Sequence, residues 1–284
     1  PIHPSEEMVL GKKAYQRVSD LPEVADLAVL VLPTRLVPEF LLECAKMGIR
    51  RAIIISGGFK EVGEDGRALE DEIARIGREK GIRFIGPNCI GVINTKIRLN
   101  TTFFPYLDGS GPMGLISQSG TYVTQALFLL RKLGIRYSQA MSVGNEANID
   151  MTDCLEYLGE DPFTHAIGLY IEGIKRGRKF MEVARSVVPK KPVVAYYVGG
   201  TDSGARSSGS HTGAISGPDH IYDAVFRQCG IIRAPTLDDL YEWTWALANQ
   251  PLPEGDRVAI VTNSGGPATS MADACARWGL RVPI

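Results

Sequence analysis

Leu27-Ala28-Val29-Leu30-Val31-Leu32 is a continuous apolar run, and it recurs in kind as Ala52-Ile53-Ile54-Ile55 and again as Phe84-Ile85. Short apolar runs rich in β-branched residues read as strands covered on both faces. The segments between them, around 37–46 and 64–80, carry a helical period, so the alternation predicts parallel α/β units in a doubly wound sheet. Working outward toward the C-terminus, Met113–Ser117, Gln139–Val143, Ala166–Ile171 and Val193–Val198 predict a second set of strands. Helices are expected after Gly120, around Thr152–Leu158, Arg178–Ser186 and Asp219–Gln228. The turn-rich stretch Phe104–Pro112 between the two sets is the expected domain boundary. Beyond the linker Pro251–Gly255, Val258–Val261 reads as one more strand leading into a helix from Ala268. At the other end, Pro1-Ile2-His3-Pro4 reads as the end of a strand and its exit turn, so a chain cut at both ends is expected.

Composition narrows the function. The chain has 284 residues, enough for about two domains with their own cores. With 31 Lys+Arg against 32 Asp+Glu, no overall basic field exists for nucleic acid or an anionic membrane. No apolar run approaches the roughly 20 residues of a membrane span. The five cysteines form no CxxC pair or zinc cluster, so no metal site is expected and a reducing cytoplasm fits. The N-terminus lacks the basic and apolar regions of a signal peptide.

Two turns stand out. Leu115-Ile-Ser-Gln-Ser-Gly120 and Ile260-Val-Thr-Asn-Ser-Gly265 both read as strand, small polar turn, Ser-Gly, helix. Such a turn leaves backbone N–H groups at a helix start with the positive end of the macrodipole behind them, a setting for phosphate or carboxylate. Ser119, Gly120 and Thr121, with Ser264, Gly265 and Gly266, are the candidates, against the plainer reading of an N-cap serine. A serine nucleophile elbow is excluded, because Leu115 stands where its first glycine belongs.

The stretch Gly199–Gly217 holds six glycines, five serines and one histidine, His211. An imidazole in such a loop reads either as a nucleophile or proton carrier or as a solvent-exposed side chain. Glu172 follows the buried run Ala166–Ile171 and precedes Gly173, which brings it out at the carboxyl edge of the sheet. A carboxylate there can orient an imidazole, and it reads equally as a solvated strand end. In Gly86-Pro87-Asn88-Cys89-Ile90-Gly91, Cys89 reads as a packing or ligand-contact cysteine rather than a reactive thiol.

Seven stretches in order resemble the NDP-forming acyl-CoA synthetases, relatives of the succinyl-CoA synthetase alpha subunit: Ile55–Phe59, Gly86–Gly91, Ile116–Gly120, Ser142–Asn145, Tyr170–Gly173, Ser210–Ala214 and Thr262–Pro267. The resemblance implies a Rossmann-like CoA-binding domain over 1–108, lacking its first strand, glycine-rich turn and helix. It implies a flavodoxin-like ligase domain with the histidine loop over 109–250, and the start of a second flavodoxin-like domain over 256–284. By motif match His211 is the phosphorylated histidine and Glu172 the glutamate that steadies it. The two Ser-Gly turns are then the paired helix starts that hold the phosphate. Pro33, Ser56, Gly57, Gly58, Asn88 and Cys89 fall on CoA-contact segments, and Thr124 on the acyl side of the pocket. Coenzyme A and phosphate are the implied ligands, with ADP or ATP and Mg2+ on an ATP-grasp domain or subunit, fused or separate. A small carboxylic acid or its acyl-CoA is the implied substrate, and an oligomer the expected state. Where many relatives carry a lysine before the loop, this sequence has Tyr196-Tyr-Val-Gly-Gly200. A succinyl-CoA synthetase alpha subunit fits less well, given Ser210-His-Thr-Gly-Ala214 and Thr262–Pro267. A regulatory CoA-binding module of a protein acyltransferase is the reading from another class, and His211 speaks for the enzyme. An NAD-binding Rossmann protein is the third; no G-x-G-x-x-G occurs in the first domain.

Overall fold

The apolar runs build the parallel strands of two separate sheets in the computed structural model, which describes residues 1–104, 109–124, 133–201, 204 and 217–283. Pro1–Asn249 forms one compact unit and Gln250–Ile284 another.

A short antiparallel pair, β1 (Met8–Val9) and β2 (Lys12–Lys13), opens the chain. The first parallel sheet then has three strands in order, β3 (Ala28–Leu30), β4 (Arg51–Ile54) and β5 (Arg83–Ile85). Their register sets Ala28 opposite Ala52 and Ile53 opposite Ile85. The crossovers are α1 (Val37–Met47) and α2 (Glu64–Lys80). α1 starts with proline near its N-terminus and stops at Gly48 in the left-handed region; α2 carries Glu64 and Asp65 in its first turn and Arg78 and Lys80 in its last, matching the macrodipole. Leu30, Ile54 and Phe84 pack on Leu41, Ile73 and Ile76. Burial of Leu27–Leu32 on both faces does not hold: Val29 is 42% and Val31 70% exposed, because β3 is an edge strand of this sheet.

The second sheet has seven strands. β8 (Met113–Ser117), β9 (Tyr137–Ser142), β10 (Ala166–Ile171), β11 (Val193–Tyr197) and β12 (Ile232–Arg233) are parallel and lie in the order β9-β8-β10-β11-β12. That is the 2-1-3-4-5 order of flavodoxin-like folds. Every residue of β8, β9 and β10 is buried. Alternate residues serve opposite faces: Ile116, Ile167 and Leu169 pack with Phe180 and Val183, while Leu115, Tyr170 and Val194 pack with Leu240 and Tyr241. The helices are α3 (Met151–Glu160), α4 (Gly177–Val187), α5 (Asp219–Cys229) and α6 (Leu237–Asn249), besides a helical turn over 120–124.

Two strands precede the expected boundary yet belong to this second sheet. β6 (Val92–Asn94) and β7 (Leu99–Asn100) form an antiparallel hairpin, and β6 pairs antiparallel with β9. The turn-rich stretch 104–112 therefore lies between strands of one sheet in the sequence, which was not legible because strands of two or three residues carry too little pattern to be seen.

In the second unit the expected strand Val258–Val261 does not form. Only Arg257 bridges to Arg281, with Val258 N–H donating to the Arg281 carbonyl, and Val261 is 95% exposed. A parallel strand needs a neighbour's ladder to satisfy its backbone, and the described residues of this unit provide a single bridge. The helix begins earlier than expected, as α7 (Gly265–Arg277). Among the described residues no helix is long and apolar enough to cross a membrane, and no group of three His, Cys, Asp or Glu side chains could hold a metal ion.

Candidate functional site

β8 and β10 are neighbours, with Tyr170 opposite Ser117, so the chain leaves both at the same edge of the sheet. The strand order reverses here, and in open α/β sheets that switch point is where the carboxyl ends part and a ligand crevice opens. Ser117–Gly120 leaves β8 and Glu172–Gly173 leaves β10, so two of the expected sites lie side by side at the switch point.

The first turn is fixed locally. The Ser117 hydroxyl donates to the Ser119 carbonyl at 2.6 Å and accepts from the Ser119 N–H at 3.2 Å. Gly120 opens the helical turn, and a Cβ there would stand 2.6 Å from Ile90 Cγ2, so glycine lets the helix start press on the Gly86–Gly91 turn. Ser119 is buried and Thr121 exposed. Thr124, the residue expected on the acyl side, is 2% exposed, and its hydroxyl donates back to the carbonyls of Gly120 and Thr121.

Glu172 is 3% exposed. Its backbone is held by a residue the sequence reading gave no role, Gln118. Gln118 Oε1 accepts from the N–H groups of Glu172 and Gly173, and Nε2 donates to the Gly173 carbonyl at 2.7 Å and to Glu146 Oε2 at 2.8 Å. Glu146 is fully buried, and its other oxygen accepts from Met151 N–H. Burial pushes its carboxyl up to about 7, against the pull of Lys175 and of the Met151 and Gln118 hydrogen bonds.

The CoA candidates lie at the carboxyl ends of β3, β4 and β5. Ser56 Oγ donates to the Leu32 carbonyl at 2.6 Å and accepts from Leu32 N–H at 2.9 Å, tying two strand ends together. Thr34 donates to the Gly57 carbonyl. Gly58 has φ +93°, and its N–H donates to Glu61 Oε1 at 2.6 Å. Burial raises the Glu61 carboxyl, but hydrogen bonds from Asn145, Gly58 and Phe59 outweigh it and hold the group below the usual carboxylate range. Pro33 lines a cavity of about 710 Å3 beside Val29, Val31 and Phe40. Asn88, with φ 56°, donates to Asn145 Oδ1 at 3.3 Å. The Cys89 side chain is turned inward: it is 4% exposed, its thiol donates to the Ile54 carbonyl, and burial pushes the thiol up to about 12. It packs the core, as the packing reading of this cysteine expects.

Asn145 joins the two sheets. Its amide donates to Glu61 Oε2 at 2.6 Å and Glu70 Oε2 at 2.8 Å, and its carbonyl accepts from both Lys60 and Lys175 at 2.8 Å. Ser142-Val-Gly-Asn145 had been noticed as a motif, but its partners Lys60, Glu61, Glu70 and Lys175 are scattered along the chain, and no spacing rule would have gathered them.

In the second unit Ser264 precedes α7, and the Thr262 hydroxyl accepts from Ser264 N–H at 3.1 Å and donates to its carbonyl at 3.3 Å. This repeats the Ser117–Ser119 arrangement. Gly265 and Gly266 are exposed, and a Cβ at either would meet nothing within 4 Å. His211 lies outside the described residues.

A helix start, a serine and a carboxylate residue thus meet at the switch point of an open α/β sheet, the setting in which such folds receive anionic groups. Comparison with known proteins gives the class. Residues 110–247 match the family model for a succinyl-CoA ligase like flavodoxin domain, and residues 1–95 that for a CoA binding domain. The chain is 43% identical over 282 residues to acetate–CoA ligase [ADP-forming] II subunit alpha of Pyrococcus furiosus, covering 99% of this chain and 61% of that one. It is 30% identical over 216 residues to succinate–CoA ligase [ADP-forming] subunit alpha 2 of Archaeoglobus fulgidus, covering 73% and 71%. Among solved structures, acetyl-coenzyme A synthetase 1 of Ca. Korarchaeum cryptofilum, described as dinucleotide forming and in complex with phosphate and ADP, superposes with a TM-score of 0.93 at 39% identity, covering 99% of this chain and 61% of that one. The chain belongs to the NDP-forming acyl-CoA synthetase family. It spans about three-fifths of the length of the acetate–CoA ligase subunit.

Proposed function

We propose that the chain is the CoA-ligase region of an NDP-forming acyl-CoA synthetase. The observation that carries this is the pairing of the Ser117–Gly120 turn with Glu172 at the switch point of a flavodoxin-like sheet. The three-stranded sheet beside it, with its Ser56–Gly58 and Asn88 turns, is the CoA side. In this reading 1–108 is the CoA-binding domain, 109–250 the ligase domain and 256–284 part of a further ligase domain.

The chemistry runs in three reversible transfers. A phosphate oxygen attacks the thioester carbonyl of acyl-CoA; the C–S bond breaks, and CoA leaves with the proton as free thiol. An imidazole nitrogen of His211 then attacks the phosphorus of the acyl phosphate, and the P–O bond to the acyl group breaks, releasing the carboxylate. Finally an oxygen of the ADP β-phosphate takes the phosphoryl group from nitrogen, giving ATP on an ATP-grasp domain or subunit. Phosphoryl transfer asks chiefly for positioning and for charge stabilisation. The helix starts after Ser119 and Ser264 supply N–H donors and partial positive charge, and Glu172 holds the imidazole nitrogen that does not react. Acetate or another small carboxylate is the acid class, by analogy with the relatives.

The test is phosphoenzyme formation. The chain, with its ATP-grasp partner or fused domain, is incubated with ATP labelled in the γ-phosphate. Label that is acid-labile, base-stable and lost in His211→Ala is the expected result. CoA binding without label would overturn the enzyme reading in favour of a regulatory CoA-binding module.

A further inference from the structure

We propose that Gln118 is a positioning residue for the histidine step: its amide clamps Glu172 to the phosphate turn, and Glu146 braces that amide from behind. The inference rests on the function proposed above and deepens it.

Gln118 stands between Ser117 and Ser119, yet its side chain does not serve that turn. It crosses to the end of β10 and bonds the peptide that carries Glu172 on both sides: two N–H groups into Oε1, one carbonyl onto Nε2. The orientation of the amide is set by these partners, since flipping it would aim its NH2 at two N–H donors and its oxygen at a carbonyl and a carboxylate. The second Nε2 hydrogen goes to Glu146, and both residues are 5% exposed. A fully paired, buried polar network has one arrangement and resists displacement. Packing alone would not call for a buried carboxylate as backing, because taking such a group out of water is costly unless it is held by several partners. Glu146 has them: Gln118 on one oxygen and Met151 N–H on the other. The backbone that carries Glu172 therefore stands at a fixed place relative to Ser119, because one amide spans the two strand ends.

Misplacement of a reacting group by about 1 Å can cost on the order of 100-fold in rate. Gln118→Met keeps the length of the side chain and removes all four hydrogen bonds. The expected result is a 30- to 100-fold slower single-turnover phosphorylation by labelled ATP, a scale taken from that positioning cost. The dissociation constant for CoA should stay within about twofold, since the CoA turns are held by other bonds. Because Gln118 acts through Glu172, the two changes are non-additive: on a Glu172→Gln background, Gln118→Met should cost less than about threefold more. A merely structural loss would add its full factor there. If the wild type acquires no phosphohistidine, the function proposed above fails and this inference with it. If the wild type is labelled but Gln118→Met matches it within about threefold, or costs the same factor with and without Glu172, only this inference falls. Should Gln118→Met not fold, Gln118→Glu is the second probe. It keeps an acceptor for both N–H groups but sets a carboxylate against Glu146, and adding Glu146→Gln restores a donor there. Recovery of at least tenfold in labelling rate supports the brace, and no recovery overturns it.

Discussion

Glu146 makes the stability of the protein depend on pH with a predictable sign. It is fully buried, takes hydrogen bonds from Met151 and Gln118, and faces Lys175 from the loop after β10 and Asp150 at the start of α3. Desolvation dominates, so its folded value is about 7 against 4.5 for the ordinary group. Between these two values the folded state binds a proton that the unfolded chain has released. Stability contributed by this group is therefore complete below about pH 4.5 and is lost as pH rises toward 7. A displacement of that size corresponds to about 3 kcal/mol, at roughly 1.4 kcal/mol per pH unit. Glu146→Gln removes the titration while Asp150, Glu61 and the surface carboxylates remain in both proteins and cancel in the difference. Urea unfolding of both proteins from pH 4.5 to 8 is the assay, and the wild type should lose about 3 kcal/mol relative to the variant across that range. A difference flat to within about 0.5 kcal/mol would show that Glu146 stays ionised throughout and that the hydrogen bonds, not burial, govern it.

Three further outcomes follow from local geometry. Asp150 caps α3 through the N–H groups of Thr152 and Asp153 and pairs with Arg176, so Asp150→Ala should cost about 2 to 4 kcal/mol in a thermal or urea melt. Gly144 has φ +55°, and a Cβ there would meet the Pro87 carbonyl oxygen at 2.3 Å; Gly144→Ala should destabilise by about 3 kcal/mol or more and weaken CoA binding by moving the Asn88 turn. Cys44, Cys89, Cys154 and Cys229 are buried, and only Cys275 is partly exposed; a thiol reagent at pH 8 should titrate one group quickly in the native protein and five after unfolding.

The sequence was readable wherever a strand is long and continuous. Met113–Ser117 and Ala166–Ile171 have the same bounds in the structure as in the pattern, because burial on both faces leaves an unbroken apolar run. The hairpin Val92–Asn94 and Leu99–Asn100 was missed for the opposite reason: its strands owe their form to the free edge of β9. Val258–Val261 fails in the other direction, with a strand's composition and one bridge to pair it. Among candidate site residues, the positions of Ser119, Gly120 and Glu172 at strand ends were legible because a strand's end is visible in the sequence. Gln118 and Asn145 lay inside recognised motifs without a role, since their meaning depends on partners tens of residues away. The burial of Thr124 and Cys89 was not legible, because spacing names the residue at a turn and not the direction of its side chain.

Those long-range partners also explain why two sheets behave as one unit. Asn145 meets Glu61 and Glu70 from the first sheet's helical region and Asn88 from its last turn, while its backbone accepts from Lys60 on one side and Lys175 on the other. One residue further on, Glu146 reaches Gln118, and Gln118 reaches Glu172. Hydrogen bonds thus run from the N–H of Gly58, on the candidate CoA turn, through Glu61 to the side chain of Asn145; the chain itself carries the connection on to Glu146, and Gln118 extends it by hydrogen bonds to the backbone N–H of Glu172. Each link is rigid only where its own partners are satisfied, and a gap leaves a polar group stranded in low dielectric. In the function proposed above, the CoA turns and the Glu172 end are then joined through Asn145, with Gln118 on the Glu172 side. Asn145→Ala tests this: it breaks that connection at its centre without touching either Gly58 or Glu172. It should raise the dissociation constant for CoA and slow phosphorylation together, each by about tenfold. A variant that loses only one of the two would show that the sheets keep their sites independently.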